Sequence, residues 1–258
     1  ESSMKKLFAL FTLIFMSYTY SQTNMEKGLK WYEKRAEGAI GFKAQPMPID
    51  RSIEYFEKSL EENNNDTTAL FLLKALYFKG EYTTDDIEKK KIIFEKGKKL
   101  GEMKIKESPK SVSFHYWYLV NLGSWSKSYG IIAAAREGVA DLMKKHSETI
   151  IKLDPEYENG GGFFMLGAIH FQSPYIPFFL SWPDNDEAIT WLRKAVSTGK
   201  RRPVQLIYLA KALHRNGMKK EAVKLLEEAS KIKPLPSYIV EYREKIDEAK
   251  GLLEEYRW

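Results

Sequence analysis

The stretch VQLIYLAKALHRNGMKKEAVKLLEEASKIKP, residues 204–234, decides the fold. Its apolar residues recur at steps of three and four, the spacing of one helix face, first up to Leu213 and again from Ala222. Gly217 separates the two runs and permits a tight turn, whereas Pro234 ends the second run because proline cannot continue a helix. Alanines at the positions where the two helices face each other allow the helices to approach closely. The stretch therefore predicts a hairpin of two antiparallel helices.

Weaker copies of this hairpin precede it, and no segment alternates long enough with period two to predict a strand. The copies fall at 160–200, 114–155 and 70–97, with a half-matching unit around 50–62. A helix pair of this kind cannot bury its apolar face alone, so the pairs are expected to stack. An unrelated helical bundle is the alternative.

The spacing resembles the tetratricopeptide repeat, in which large residues and alanines alternate at set positions of a helix pair of about 34 residues. This resemblance implies an all-α fold: a stack of four to five tetratricopeptide-like helical hairpins, or α-solenoid. The helical pattern at 237–257 is expected to provide a C-terminal capping helix.

A narrower resemblance comes from the order of five motifs. They are EKGKKLGEMKIKESPKS, FHYWYLVNLGSW, IIKLDPEY, GGGFFMLGAIHFQSP and DNDEAITWLRKAV. This order is similar to the T-component family of periplasmic proteins associated with tripartite TRAP-type transporters, over roughly residues 26–234. The resemblance implies repeats around a groove or pore, a periplasmic substrate-binding protein as partner, and small hydrophobic or acidic ligands that are handed onward.

Two features depart from that family. Its members are commonly lipoproteins, but this chain contains no cysteine to carry a lipid. The family has a short glycine-rich loop where this chain has SPYIPFFLSWPDN, residues 173–185. A lipid tether of that kind is therefore excluded. The two departures weaken the expectation of the family's specific role in transport, but they leave the expected fold unchanged.

The first twenty-one residues have the pattern of a cleavable secretory signal. Lys5 and Lys6 precede the apolar run Leu7–Met16, which as a helix would span about 15 Å, roughly half of a bilayer core. Cleavage near Gln22 would leave 22–258 as a single helical repeat domain, in a bacterial periplasm or secreted. A short N-terminal membrane anchor is the alternative.

Composition excludes several classes of protein. Hydrophobic residues make up 43% and charged residues 29% of the chain, unlike a disordered tail or a multi-span membrane protein. The absence of cysteine excludes disulfide scaffolds, Cys-ligated zinc and thiol catalysis. A net charge of +6 is too small to indicate nucleic acid.

Motifs for catalysis are missing as well. The four histidines form no HExxH pair, and we find no nucleophile elbow, phosphate-binding loop or dinucleotide fingerprint. His170 is expected in the core. The sequence therefore predicts a binding protein that is not an enzyme and has neither metal nor cofactor.

The inner wall of the stack is the predicted binding surface, since the first helix of each pair lines it. Offsets typical of such repeats place these residues in the groove: Phe71, Phe78, His115, Leu119, Phe164, Phe171, Gln172, Ile207, Lys211, His214 and Arg215. A mostly apolar concave wall suits a small ligand or a partner protein.

Two further segments have two interpretations each. The loop residues Tyr175, Phe178, Phe179 and Trp182 either fold into the groove mouth or contact a partner. The nine lysines of 89–110 either form a solvated outer helix or dock on an acidic partner or anionic membrane surface. The resulting hypothesis is an exported, non-catalytic scaffold that binds a ligand or partner in its groove. A general cell-envelope assembly adaptor is the alternative.

Overall fold

The computed structural model describes residues 22–176, 178 and 180–256. The predicted signal segment, residues 1–21, lies outside these residues. The described part folds into twelve α-helices: α1 Asn24–Glu33, α2 Pro46–Glu62, α3 Asp66–Tyr82, α4 Ile87–Glu107, α5 Val112–Tyr129, α6 Ile131–Arg136, α7 Val139–Leu153, α8 Gly161–Gln172, α9 Asn185–Ser197, α10 Pro203–Arg215, α11 Lys219–Lys231 and α12 Ile239–Tyr256. The all-α prediction is confirmed.

Ten of the helices form five antiparallel pairs, α1/α2, α3/α4, α5/α7, α8/α9 and α10/α11, with the short α6 inside the third pair. Each pair packs on the next, as a stack of helical hairpins requires. Within the described residues, no helix is both long enough and apolar enough to cross a membrane.

Local sequence sets where the helices begin and turn. The Asn65 side chain accepts hydrogen bonds from the backbone N–H groups of Thr67 and Thr68, at 2.8 and 3.2 Å, and so caps α3. Gly217 has φ +78° in the turn between α10 and α11, a conformation that glycine adopts without strain. The turn predicted at Gly217 is therefore present.

Small residues allow the helices of a pair to approach. A Cβ atom added at Gly167 would lie 2.6 Å from Cγ of Leu192 on the partner helix α9. Leu192 itself is fully buried, as are Ala188 and Ala195 on the same helix face. The residues that suggested a repeat at 160–200 thus form the contact between α8 and α9.

The lysine-rich segment 89–110 is mostly α4, and part of its charge is neutralised inside the protein. Lys104 is buried and its Nζ lies 2.7 Å from carboxylate oxygens of both Asp66 and Glu107. Lys98 is also buried, with Nζ 3.1 Å from Glu137. The docking interpretation of this segment is therefore wrong for these two lysines, which hold neighbouring elements together.

The C-terminal helix α12 caps the stack, as expected, but it also crosses its open side. Ala249 and Leu253 are buried in the core formed by α10 and α11. At the other end of the helix, Val240 is buried in the core of the first two pairs, and Arg35 donates a hydrogen bond to the carbonyl oxygen of Ser237. The last helix therefore returns to the first pair and closes the stack into a ring.

Antiparallel pairing sorts the loops onto two opposite edges. We call the intra-pair edge the one formed by the loops within pairs: 34–45, 83–86, 130–138, 173–184 and 216–218. The inter-pair edge is formed by the loops between pairs: 63–65, 108–111, 154–160, 198–202 and 232–235.

Neighbouring loops of one edge, or the helix ends beside them, contact each other. On the intra-pair edge the Ala44 N–H donates to the carbonyl oxygen of Tyr82 at 2.8 Å, and Arg215 donates to that of Phe171 at 2.7 Å. On the inter-pair edge the Lys200 N–H donates to Asn159 at 2.9 Å.

Candidate functional site

A cavity of about 280 Å³ lies between the first helices of the pairs and α12. The first helices are α1, α3, α5, α8 and α10, so the cavity occupies the inner wall of the stack. Ten of its lining side chains are aromatic: Tyr32, Tyr77, Phe78, Tyr82, Tyr116, Trp117, Phe164, Tyr208, Tyr238 and Tyr242. Its wall is thus mainly apolar, with hydroxyl groups at several points. Seven charged residues also line it: Lys74, Glu81, Lys127, Arg202, Glu241, Glu244 and Lys245.

The aromatic rings hold one another in edge-to-face contacts. The ring centroids of Tyr77 and Trp117 are 6.1 Å apart, and those of Phe164 and Tyr208 are 5.2 Å apart. This geometry favours aromatic pairs because the positive ring edge meets the negative ring face. These contacts join helices of neighbouring pairs, α3 with α5 and α8 with α10, and give the cavity a preformed shape.

Lys74 of α3 is the distinctive charge in the wall. Its Nζ lies 5.1 Å from the ring centroid of Phe71 and 5.3 Å from that of Trp117. Burial lowers the pKa of Lys74, and the charge of Glu158 opposes that shift. Within the described part of the chain, Lys74 forms no salt bridge, so the close contacts of its ammonium group are with aromatic faces.

Other cations near the cavity have carboxylate partners. Arg202 donates to Glu158 at 2.6 Å. Lys245 donates to Glu248 at 2.9 Å, and Lys211 donates to the other oxygen of Glu248 at 2.5 Å. Among the described residues, two lysines of the cavity lining have no carboxylate partner: Lys74, which is half-buried, and Lys127, which is exposed at one end of the cavity.

A buried ion pair joins α12 to the first helix pair. Arg35 Nη2 lies 3.3 Å from a carboxylate oxygen of Glu241, and both side chains are largely buried. Burial raises the pKa of Glu241, and the charge of Arg35 counteracts this. Arg35 Nε and Glu241 Oε2 have no hydrogen-bond partner among the described residues, so this junction is incompletely satisfied.

Four of the predicted groove residues line the cavity: Phe78, Leu119, Phe164 and Gln172. Gln172 also donates to the Tyr208 hydroxyl at 2.6 Å. For these four the repeat offsets placed the side chain on the correct wall.

The predicted groove positions Phe71 and His115 are wrong. Phe71 packs beside the cavity, with its ring centroid 5.6 Å from that of Tyr32. His115 faces the opposite side of α5, where its Nδ1 lies 2.7 Å from Nδ1 of His146 and its Nε2 2.9 Å from the Pro109 carbonyl oxygen. His115 is therefore part of the packing between α5 and α7.

The four groove residues predicted on α10 do not line the cavity, and α12 covers two of them, Lys211 and His214. Ile207 is fully buried in the core, and Lys211 pairs with Glu248 of α12. His214 stacks on Tyr256 with centroids 3.6 Å apart. Arg215 stacks on Phe171 at 3.9 Å, and both lie outside the cavity. These four residues and Phe171 were predicted to line the groove, and none of them lines the cavity.

Lys74, Trp117 and Tyr208 are the main lining residues that the repeat offsets missed. The aromatic run from Tyr116 to Tyr118 was a usable signal, since such a run places a ring on both faces of a helix. On α5 the lining residues Tyr116 and Val120 each follow a predicted position by one residue, a step that turns a helix face by about 100°. Leu119, at the other predicted position, lines the cavity as well.

The described residues of the loop 173–185 do not line the cavity. Tyr175 and Phe178 are exposed, whereas Trp182 donates its indole N–H to Asp141 of α7 at 2.9 Å. Phe179 lies outside the described residues. Folding into the groove mouth is therefore wrong for the described part, and a partner contact stays a prediction.

No three His, Asp or Glu side chains converge on a metal-sized site anywhere in the part of the chain that is described. His170 is buried, as expected of a core residue. Its Nδ1 accepts a hydrogen bond from the Asp184 N–H at 3.3 Å, which fixes the start of α9. The cavity therefore presents aromatic faces, the unpaired lysines Lys74 and Lys127, and the carboxylates of Glu81, Glu241 and Glu244.

Comparison with known proteins agrees with this architecture. A family model described as RMD1-3, regulator of microtubule dynamics protein 1-3, matches residues 50–177, slightly less than half of the chain. TTC0263, a thermophilic TPR protein of Thermus thermophilus, is 13% identical with a TM-score of 0.56, covering 90% of this chain and 96% of that one. That similarity shows the tetratricopeptide-like fold and nothing more.

The TPR2AB domain of yeast Sti1 in complex with pHSP90 is 16% identical and covers 91% of this chain and 97% of that one. Its TM-score of 0.35 is too low to support any argument. No curated protein sequence matches this chain.

Proposed function

We propose that this chain is a non-catalytic helical-repeat scaffold whose enclosed cavity binds a small amphipathic anion. The observation that carries the proposal is Lys74, a half-buried cation in the cavity wall with aromatic faces as its only close partners among the described residues. A partly desolvated ammonium group gains strongly from an anion that reaches it, because the local dielectric constant is low.

The size and chemistry of the cavity limit what it can hold. Its volume of about 280 Å³ is at the lower end of ligand pockets, which run from about 300 to 1,000 Å³. The α12 helix occupies the part of the inner wall where an open repeat stack would receive an extended peptide. A small molecule with an apolar body against Trp117 and Tyr77, and a carboxylate at Lys74, fits both limits.

The test compares two probes that differ in charge. Calorimetric titration with octanoate and with 1-octanol is carried out on the wild type, on Lys74→Met and on Lys79→Met. Lys79 lies on the same helix but pairs with Asp50 at 2.8 Å, outside the cavity, and is the matched control. We expect Lys74→Met to weaken octanoate binding by about 10- to 100-fold, since a charge-assisted hydrogen bond contributes about 1.5–3 kcal/mol.

Octanol should bind the wild type and both variants alike, because it lacks the charge that Lys74 recognises. Equal octanoate affinity for the wild type and Lys74→Met would overturn the assignment of Lys74. Absence of binding by either probe to the wild type would overturn the cavity as a site for this class of ligand.

The biological setting is also a proposal. The order of motifs that is similar to T-component proteins supports an exported chain that receives its ligand from, or passes it to, a periplasmic substrate-binding protein. A gene for such a protein and a membrane permease beside this one would favour that role. A pull-down that retains only envelope assembly proteins would favour the alternative, a general assembly adaptor.

A further inference from the structure

The two edges of the stack differ in what their loops expose. Fifteen large hydrophobic side chains are exposed in the described part of the chain. Eleven of them lie in the intra-pair loops or in the adjoining helix turn, and only Leu153 and Leu235 lie at the inter-pair edge. The other two, Ile92 and Met103, are on the outer face of α4.

Every intra-pair loop contributes to this set, either itself or through the adjoining helix turn. Ile40 and Phe42 are exposed in the first loop, Ile131 and Ile132 in the third, and Met218 in the fifth. The second loop leads directly into the exposed Ile87, the first residue of α4. The exposed side chains therefore form a row along the whole edge and not one compact patch.

The fourth loop carries the most prominent of these side chains. The backbones of Ile176 and Leu180 exchange two hydrogen bonds of 2.8 Å and form a narrow hairpin. Phe178 at its tip is fully exposed and has φ +64°, a conformation that is unfavourable for a bulky residue. No charged residue occurs from 172 to 183. This loop thus presents an aromatic tip on an uncharged stem.

The inter-pair edge has the opposite character. Three of its five loops read NNN at 63–65, SPKS at 108–111 and TGKRR at 198–202. Their side chains form polar bridges, as between Asn64 and Glu107 at 3.2 Å. The other two, DPEYENG at 154–160 and IKPL at 232–235, expose one large hydrophobic side chain, Leu235. The contrast shows that exposure of apolar groups is a property of one edge and not of loops in general.

The spacing and charge of the exposed side chains along the intra-pair edge indicate the kind of partner that they contact. A protein partner buries a contiguous patch with a packed apolar centre, whereas a bilayer accepts separated side chains, each of which contributes its own burial. The five intra-pair loops hold four basic and five acidic residues, so charge does not direct the contact. We propose that the intra-pair edge rests on a lipid bilayer and inserts its loop tips into the boundary between headgroups and acyl chains.

This proposal does not depend on the anion binding that is proposed for the cavity, but the two sites are adjacent. Lys127 and Gln172, which line one end of the cavity, are exposed in the last turns of α5 and α8, next to the intra-pair loops. Tyr116 and Pro203 at the other end are buried. The accessible end of the cavity therefore faces the edge that is assigned to the bilayer.

The absence of cysteine permits a site-specific test in the full chain. Ile132→Cys on the intra-pair edge and Leu153→Cys on the inter-pair edge are each labelled with the polarity-sensitive dye NBD and mixed with phosphatidylcholine vesicles. The two native side chains are exposed by 69% and 40%. We expect a blue shift and a roughly twofold or greater rise in emission at position 132 alone. Salt at about 0.5 M should leave the response unchanged, because charge is not involved.

A response of both labels would show attachment through another segment, such as the apolar run Leu7–Met16, and would overturn the proposal. A response of neither label, or one that requires anionic lipid, would also overturn it. In vesicle flotation, the triple variant Ile131→Asp, Ile132→Asp, Phe178→Asp should bind about tenfold more weakly than wild type. The matched triple variant Ile92→Asp, Leu153→Asp, Leu235→Asp should bind as wild type does, and an equal loss in both would contradict the assignment of the edge.

Discussion

The two ends of α12 are held by different forces. Its first turns meet the first two helix pairs through one buried apolar side chain, Val240, and the Arg35–Glu241 ion pair, in which two polar atoms remain unsatisfied among the described residues. Its last turns bury Ala249 and Leu253 against α10 and α11. Apolar packing tolerates small movements, whereas a buried ion pair loses most of its energy when its geometry changes. We therefore expect that any opening of the ring begins at the first helix pair.

The largest effect is expected at the polar end. Arg35→Met should lower the free energy of unfolding by about 3–5 kcal/mol, because it leaves Glu241 buried without its partner. Chemical denaturation followed by circular dichroism measures this loss. Arg35→Met combined with Glu241→Leu should regain most of it, and failure to do so would mean that Arg35 acts mainly through its other contacts.

The buried pair His115 and His146, which lies away from α12, is expected to make the stability of the fold sensitive to acid. Burial and the neighbouring His115 lower the pKa of His146 from 6.5 to about 4. The folded state thus prefers neutral His146, whereas the unfolded state takes up a proton below pH 6.5. The free energy of unfolding therefore falls as the pH is lowered from 6.5 to 4, and this side chain causes no loss above pH 6.5. Unfolding at pH 7 and pH 4 should show that wild type loses up to about 3 kcal/mol more than His146→Gln. Identical losses would contradict this assignment.

The smallest effect is expected at the apolar end. Leu253→Ala should lower the free energy of unfolding by about 2 kcal/mol, at the low end for such changes, because the side chain lies in the last turns of a terminal helix that can relax. Hydrogen exchange should show faster exchange in the last turns of α12 and little change near Glu241. If both ends exchange together, the helix is released as one unit and the difference between its ends has no dynamic consequence.

The sequence predicted the architecture because repeat spacing is a local property. The turn at Gly217, the close contact at Gly167 and the number of helix pairs all depend on residues within one pair or its neighbour. On α8 the predicted wall positions Phe164 and Gln172 line the cavity, since the offsets there were correct and no later element covers them.

The cavity itself could not be predicted in the same way. The path of α12 depends on contacts between residues about two hundred positions apart, such as Arg35 and Glu241, and no periodic pattern records such a contact. The covering of Lys211 and His214 follows from that path. Lys74 was missed for a related reason, because a lysine on an outer face and one on an enclosed wall look alike in sequence.

The return of the last helix to the first pair has an evolutionary consequence. Open repeat arrays gain or lose units readily, because each unit contacts only its neighbours. Here adding or removing a unit would shift Ser237 relative to Arg35 and break the contact between them. The number of helix pairs is therefore fixed by the need of the last helix to reach the first pair. We expect relatives of this protein to vary in loop length and to keep five pairs.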